Sequence, residues 1–146
     1  YVANEGILNG PAAIAMRYRS AIDARDVAIL ADVHVKFGAH AITADRSITE
    51  QATDAEWFDA DVLIATGTRT GSPTTRREVD EVRAGTNLPV IVGSGLGPEQ
   101  VPELFASADG AIVGQWLKQD GLWWNPVDPA RVERLMTAVR AVRDSS

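Results

Sequence analysis

A chain of 146 residues is long enough for one domain with a sizeable core, and its 45% hydrophobic and 23% charged residues are typical of a globular protein. The net charge of −6 argues against a protein that binds the nucleic-acid backbone, and no apolar run approaches the roughly 20 residues of a membrane-spanning helix. The absence of cysteine excludes disulfides and thiolate ligands and leaves the cytoplasm as the default location.

Predicted helices and strands alternate along the chain. Pro11 suits a first helical turn, and Ile14, Tyr18 and Ile22 then recur at helical spacing. The predicted order is helix 11–23, strand 27–36, helix 49–58, strand 61–66, helix 75–84, strand 88–92, helix 98–106, strand 109–113 and helix 128–143. Short apolar strands separated by helices indicate βα units and a parallel sheet.

The strand predicted over 27–36 has two chemically different faces. One face is wholly apolar, and the other carries Asp32, His34 and Lys36. A surface edge strand could carry charges on one side, whereas a strand buried on both sides is normally apolar throughout. A strand of a parallel barrel reconciles these readings, because it packs on helices outside and points functional groups inside.

Polar or glycine-rich loops follow every predicted strand, at 36–38, 67–71, 93–95 and 114–115. An open doubly wound sheet also places a ligand at its strand ends, but a barrel uses the same end of every strand. A complete barrel needs about 250 residues. The fold prediction is therefore α/β: residues 1–146 form the C-terminal half, strands 5 to 8, of one (β/α)8 TIM-type barrel. The N-terminal strands are expected outside this chain.

Two glycine loops predict a phosphate site. Gly93, Ser94 and Gly95 follow the third predicted strand, and Gly114 and Gln115 follow the fourth. Glycine lets backbone N–H groups approach an anion closely, and a helix N-terminus adds unpaired donors. Alternatively, these glycines only make tight turns. A Gly95→Val substitution is expected to abolish phosphate-ester binding and to leave the fold largely intact.

Asp32, His34 and Lys36 are the candidate catalytic residues. Along a strand they are spaced by roughly 6.6 Å per pair, so they occupy successive layers with Lys36 nearest the mouth. Lys36 could orient a substrate, carry a proton or form a Schiff base. The alternative is an ion network that fills the barrel. A divalent metal at Asp32 and His34 stays open, but the sequence supports no full ligand set, and no cofactor is predicted.

Other polar and aromatic segments have weaker signals. Thr68, Arg69 and Thr70 form a candidate substrate loop, which could equally be plain turn chemistry. His40 is more typical of a solvated loop histidine than of a ligand. Trp116, Trp123 and Trp124 indicate packing or an oligomer surface rather than a ligand platform.

Six segments are distinctive when read together: D-V-H-V-K at 32–36, A-T-G-T-R-T-G at 65–71, V-G-S-G at 92–95, A-D-G-A-I-V-G at 108–114, L-K-Q-D-G at 117–121 and N-P-V-D at 125–128. They resemble the BtpA/SgcQ family. The resemblance implies a TIM-type barrel of the ribulose-phosphate-binding group, with strands 1 to 4 before Tyr1. Phe37 stands where that family leads us to expect histidine, so no role for a second histidine there is carried over.

Two hypotheses about function follow. The first is a barrel that binds a phosphate ester, either a sugar phosphate or a nucleotide-like compound, and acts as a lyase, isomerase or hydrolase. The alternative is a non-catalytic assembly or stability factor of the photosystem I biogenesis type. The resemblance does not decide between them, because BtpA itself is associated with photosystem I and SgcQ-like members with sugar metabolism. Expected partners are a phosphorylated small molecule, the missing N-terminal half of the barrel and further copies of the chain.

Overall fold

The computed structural model describes residues 2–3, 6–39, 41–67 and 73–145. Its helices and strands alternate as the sequence predicts. In chain order they are β1 (Val2–Ala3), β2 (Gly6–Ile7), α1 (Ala12–Ala21), β3 (Leu30–Asp32), α2 (Ile48–Trp57), β4 (Val62–Ala65), α3 (Arg76–Arg83), β5 (Val90–Val92), α4 (Val101–Leu104), β6 (Gly110–Ala111) and α5 (Pro129–Arg143). Short 3-10 turns lie at Ala41–Thr43, Gln115–Leu117 and Gln119–Gly121.

Four parallel strands form the main sheet, in the chain order β3-β4-β5-β6. Leu30 pairs with Val62, Leu63 with Val90, and Ile91 with Gly110. Because the strands are parallel, their carboxyl ends all lie at the same edge of the sheet. This confirms the predicted parallel βα arrangement. β1 and β2 form a separate antiparallel pair that the sequence did not predict.

Helices pack on one face of the sheet and bury its apolar side chains. Leu63, Val90 and Val92 of the sheet and Val79 of α3 are fully buried, and they belong to one core cluster that also includes residues of α4 and α5. Local chemistry sets the helix starts. Ser47 and Thr75 each form a reciprocal capping box with the glutamate three residues later. Asp128 caps α5 before Pro129.

The strand predicted over 27–36 is much shorter in the structure. The last ladder bond of β3 runs from the Val33 N–H to the Ile64 carbonyl, and the chain then bends. Lys36 and Phe37 form a turn, with Phe37 at a φ of 59° and the Gly38 N–H bonded to the Val35 carbonyl. The predicted layer spacing is therefore wrong beyond Asp32, because His34 and Lys36 are not on a strand.

Helix α1 has its predicted position but little packing. None of its residues is buried, and Ile14, Tyr18 and Ile22 are exposed by 67%, 65% and 54%. Within the described residues, β3 and β6 each pair with one neighbouring strand of the main sheet. In the same part of the chain, no helix is long and apolar enough to cross a membrane.

Candidate functional site

A cleft lies between the loops that follow β5 and β6. Its volume is about 560 Å³. All five residues predicted to bind phosphate line this cleft: Gly93, Ser94, Gly95, Gly114 and Gln115. The structure therefore brings the two glycine loops together into one concave site at the carboxyl ends of neighbouring strands.

Close packing requires glycine at two of these positions. A Cβ on Gly93 would lie 2.5 Å from the Ile64 Cγ2 and 2.6 Å from the Thr66 Oγ1. Gly95 has a φ of +74°, and a Cβ there would lie 2.6 Å from the Pro73 Cα. The expectation that Gly95→Val leaves the fold largely intact is therefore wrong, because the new side chain collides with backbone. Gly114, by contrast, has open space where a Cβ would stand.

The cleft offers backbone donors for an anion. Within the described part of the chain, the N–H groups of Gly95 and Gln115 donate no hydrogen bond, whereas the Gly97 N–H is satisfied by the Gln100 Oε1 at 2.9 Å. Unpaired N–H groups on both sides of a cleft are suited to an anion, since each can donate without first breaking an internal bond.

A cation on the cleft wall was not predicted from the sequence. Arg131 of α5 lines the cleft, donates from its Nη1 to the Trp116 carbonyl at 2.8 Å, and places its guanidinium 5.4 Å from the centre of the Trp116 ring. The Asp128 carboxylate forms an ion pair with this guanidinium, with 4.0 Å between the Asp128 Oδ2 and the Arg131 Nε. These contacts hold a permanent positive charge beside the two glycine loops. The i,i+3 spacing of Asp128 and Arg131 was visible in the sequence, but the fold was needed to place them at the cleft.

Lys36 connects the loop after β3 to the loop after β5. Its Nζ donates a hydrogen bond to the Ser94 Oγ, so the amine lies against a residue that lines the cleft. Burial lowers the pKa of the Lys36 amine below its ordinary value, although the carboxylates of Asp32 and Glu78 act in the opposite direction. A lysine of this kind is unprotonated more often than one in water.

Asp32 is held by its neighbour on the next strand. The Thr66 hydroxyl, just beyond β4, donates to the Asp32 Oδ1. The ends of β3, β4 and β5 are thus connected by two side-chain hydrogen bonds. Thr66 is a further site residue that sequence reasoning missed, since nothing local distinguishes it from an ordinary strand end.

The remaining candidates have different outcomes. His34 is half-buried in the bend after β3, and its role stays a prediction. His40, Thr68, Arg69 and Thr70 lie outside the described residues. Among the residues that the structure describes, no three histidine, cysteine, aspartate or glutamate side chains come together in a way that could hold a metal ion.

The tryptophans predicted to cluster near the last strand separate into two groups. Trp116 packs against the core and also lines the cleft. Trp123 and Trp124 form an exposed edge-to-face pair with ring centres 5.5 Å apart. Only Trp116 therefore belongs to the candidate site.

A family model matches nearly the whole chain, over residues 1–141, and its description is the BtpA family. The chain belongs to the BtpA family. A relative from Caenorhabditis elegans, an uncharacterized protein named as mitochondrial, is 38% identical over 98% of this chain and 51% of its own length. The photosystem I biogenesis protein BtpA of Synechocystis is 35% identical over 93% of this chain and 47% of its own length.

The chain spans about half the length of these curated relatives. Among solved structures, N-(5'-phosphoribosyl)anthranilate isomerase from Pyrococcus furiosus is similar, with a TM-score of 0.55 at 19% identity over 84% of this chain and 56% of that chain. This likeness concerns the fold. It agrees with the predicted TIM-barrel type of fold for this BtpA-family chain.

Proposed function

We propose that this chain supplies the phosphate-binding and reacting part of a barrel enzyme that acts on a phosphate ester. One observation carries the proposal: two glycine loops, whose N–H groups at Gly95 and Gln115 donate no hydrogen bond to the described residues, form one cleft, and Lys36 reaches its wall at Ser94. Such a cleft combines an anion site with a nearby side chain capable of chemistry.

The charge distribution supports an anionic ligand. The chain as a whole carries a net charge of −6, which repels anions in general. The cleft is more positive than the chain as a whole, because Arg131 lines it and Lys36 lies beside Ser94. Backbone N–H groups together with a guanidinium bind a phosphate group through charge-assisted hydrogen bonds. The isomerase with the similar fold acts, by its name, on a phosphoribosyl compound, which guides the choice of probes.

The proposal is tested by calorimetric titration with ribose 5-phosphate, inorganic phosphate and unphosphorylated ribose. We expect the two phosphate compounds to bind and ribose to give no measurable heat. Gly114→Ala should weaken binding at least tenfold, because Gly114 lines the cleft and a methyl group there adds bulk without a backbone clash. Gly10→Ala is the matched control, since its Cβ also meets open space but lies away from the cleft. Equal affinity for ribose and ribose 5-phosphate would contradict the proposal.

A non-catalytic assembly role is the second candidate. It is favoured by the exposed pair Trp123 and Trp124 and by the name of the Synechocystis relative. On this reading the tryptophans contact a photosystem I protein and the cleft plays no part. The double change Trp123→Ser and Trp124→Ser should then abolish cosedimentation with purified photosystem I complexes, while Gly114→Ala should leave it unchanged.

We also propose that residues 1–146 are the C-terminal half of one barrel, completed by strands outside this chain. Among the described residues, β3 and β6 each lack a neighbouring strand on one side, and these sides and the exposed apolar face of α1 are the surfaces that further strands and helices would cover. The length of the relatives supports this, because each is about twice as long as the part matched here.

A further inference from the structure

We infer that Lys36 forms an imine with the carbonyl carbon of a sugar phosphate bound in the cleft, which makes the substrate class aldose or ketose phosphates. This inference rests on the proposed phosphate site. The Lys36 Nζ contacts the Ser94 Oγ, and Ser94 is the direct neighbour of Gly95, whose N–H donates no hydrogen bond to the described residues. We infer that an ester anchored at Gly95 extends its carbon chain past Ser94 towards this amine.

Other roles for Lys36 fit the surroundings less well. Arg131 already supplies a permanent cation on the cleft wall, so a second cation is not needed to bind the phosphate. The amine lies on the β3 side of Ser94, towards Asp32 and Glu78, rather than between the two glycine loops. Partial burial favours the unprotonated amine, which is the form that attacks a carbonyl.

The chemistry balances without a further reactant. The amine lone pair forms a C–N bond while the carbonyl π electrons move to oxygen, which takes up a proton released by nitrogen. The proton that Lys36 gave up to become the free amine is returned to the carbinolamine hydroxyl, the C–O bond breaks and water leaves, so that overall protonated Lys36 and a carbonyl compound give an iminium ion and water. The iminium ion carries one positive charge. Asp32, held in place by the Thr66 hydroxyl, provides the compensating negative charge.

The test is reductive trapping. Sodium cyanoborohydride converts the imine to a stable secondary amine, which peptide mass spectrometry locates. Residues 1–146 contain two lysines, Lys36 and Lys118, so Lys118 is the internal control. The probes are ribulose 5-phosphate, ribose 5-phosphate and unphosphorylated ribulose.

We expect at least tenfold more label on Lys36 than on Lys118 with the phosphorylated sugars, and suppression of that label by inorganic phosphate. Lys36→Arg and Lys36→Met should both lose the label, whereas Lys118→Arg should keep it. Equal labelling of both lysines, or none on Lys36, overturns the imine. Calorimetry separates the two proposals, because phosphate binding that persists without trapping removes the imine alone, and absent phosphate binding removes the phosphate site as well.

Discussion

Gly95 lies so close to Pro73 that a Cβ on Gly95 would stand 2.6 Å from the Pro73 Cα. This contact joins the loop after β5 to the segment that leads into α3, and it fixes the loop while leaving the Gly95 N–H unpaired within the described residues. The same glycine thus serves the packing of the fold and the proposed anion site. A substitution there changes both at once, so the two roles must be separated at another position.

Alanine at the two loop glycines should have different effects on stability. We expect Gly95→Ala to lower the free energy of unfolding by about 1–3 kcal/mol, because alanine is strained at a positive φ and collides with Pro73. Gly114→Ala should change it by less than about 0.5 kcal/mol, since its Cβ meets open space. Urea denaturation followed by circular dichroism measures both. Equal losses would show that the loop around Gly95 has room to relax.

The pH dependence of trapping should respond to Asp32. The Asp32 carboxylate raises the pKa of the Lys36 amine, so Asp32→Asn should lower that pKa and leave more amine unprotonated at a given pH. The pH midpoint of cyanoborohydride labelling at Lys36 should therefore move to lower pH. Glu78→Gln should act in the same direction, and Asp45→Asn, at an exposed position, is the control. A move to higher pH would contradict the electrostatic assignment.

Acid should weaken the contact between α3 and the last two strands. Asp109 accepts hydrogen bonds from the Val90 N–H at 2.8 Å and from Arg83, and these bonds hold the pKa of its carboxyl below the ordinary value despite partial burial. A lowered pKa means that this stabilisation is present above the ordinary pKa of an aspartate and is lost as the pH falls through the folded-state value.

Asp109→Asn should accordingly cost about 1 kcal/mol at pH 7, a modest value because the side chain is half exposed. The difference from the unaltered protein should shrink below pH 4, near the ordinary pKa of aspartate of about 3.9. Thermal unfolding at a series of pH values measures this, with Asp45→Asn as the control for loss of one charge. If the stability difference between Asp109→Asn and the unaltered protein stayed constant at every pH, the protonation of Asp109 would not be linked to folding.

The isolated chain should associate in solution. Two open strand edges and the exposed apolar face of α1 leave surfaces that favour contact with other strands or copies. Light scattering should give a mass above 15.7 kDa for the chain alone. A polypeptide containing the barrel strands that precede the matched half of a relative should reduce this self-association. A monomer that unfolds cooperatively would contradict the half-barrel proposal.

Local sequence signals were enough to predict most elements and the two glycine loops. The apolar runs place β4 and β5, and the spacing of glycine after each strand places Gly95 and Gln115 at one edge. The contacts of Thr66 and Arg131 could not be predicted, because each depends on residues from another part of the chain. The alternation of charges predicted that Asp32 lies on this strand, but it could not reveal that the strand ends at Asp32 and that the chain turns at Lys36.

The pairing of the strands in chain order has a dynamic consequence. β4 and β5 each have neighbours on both sides, whereas β3 and β6 are held from one side only within the described sheet. Amide hydrogens of outer strands exchange with solvent through smaller opening motions than those of inner strands. Lys36 follows an outer strand and Gly95 follows an inner one. In the isolated chain, the proposed reacting amine therefore follows a strand that fluctuates more, and the proposed anion site follows a strand that fluctuates less.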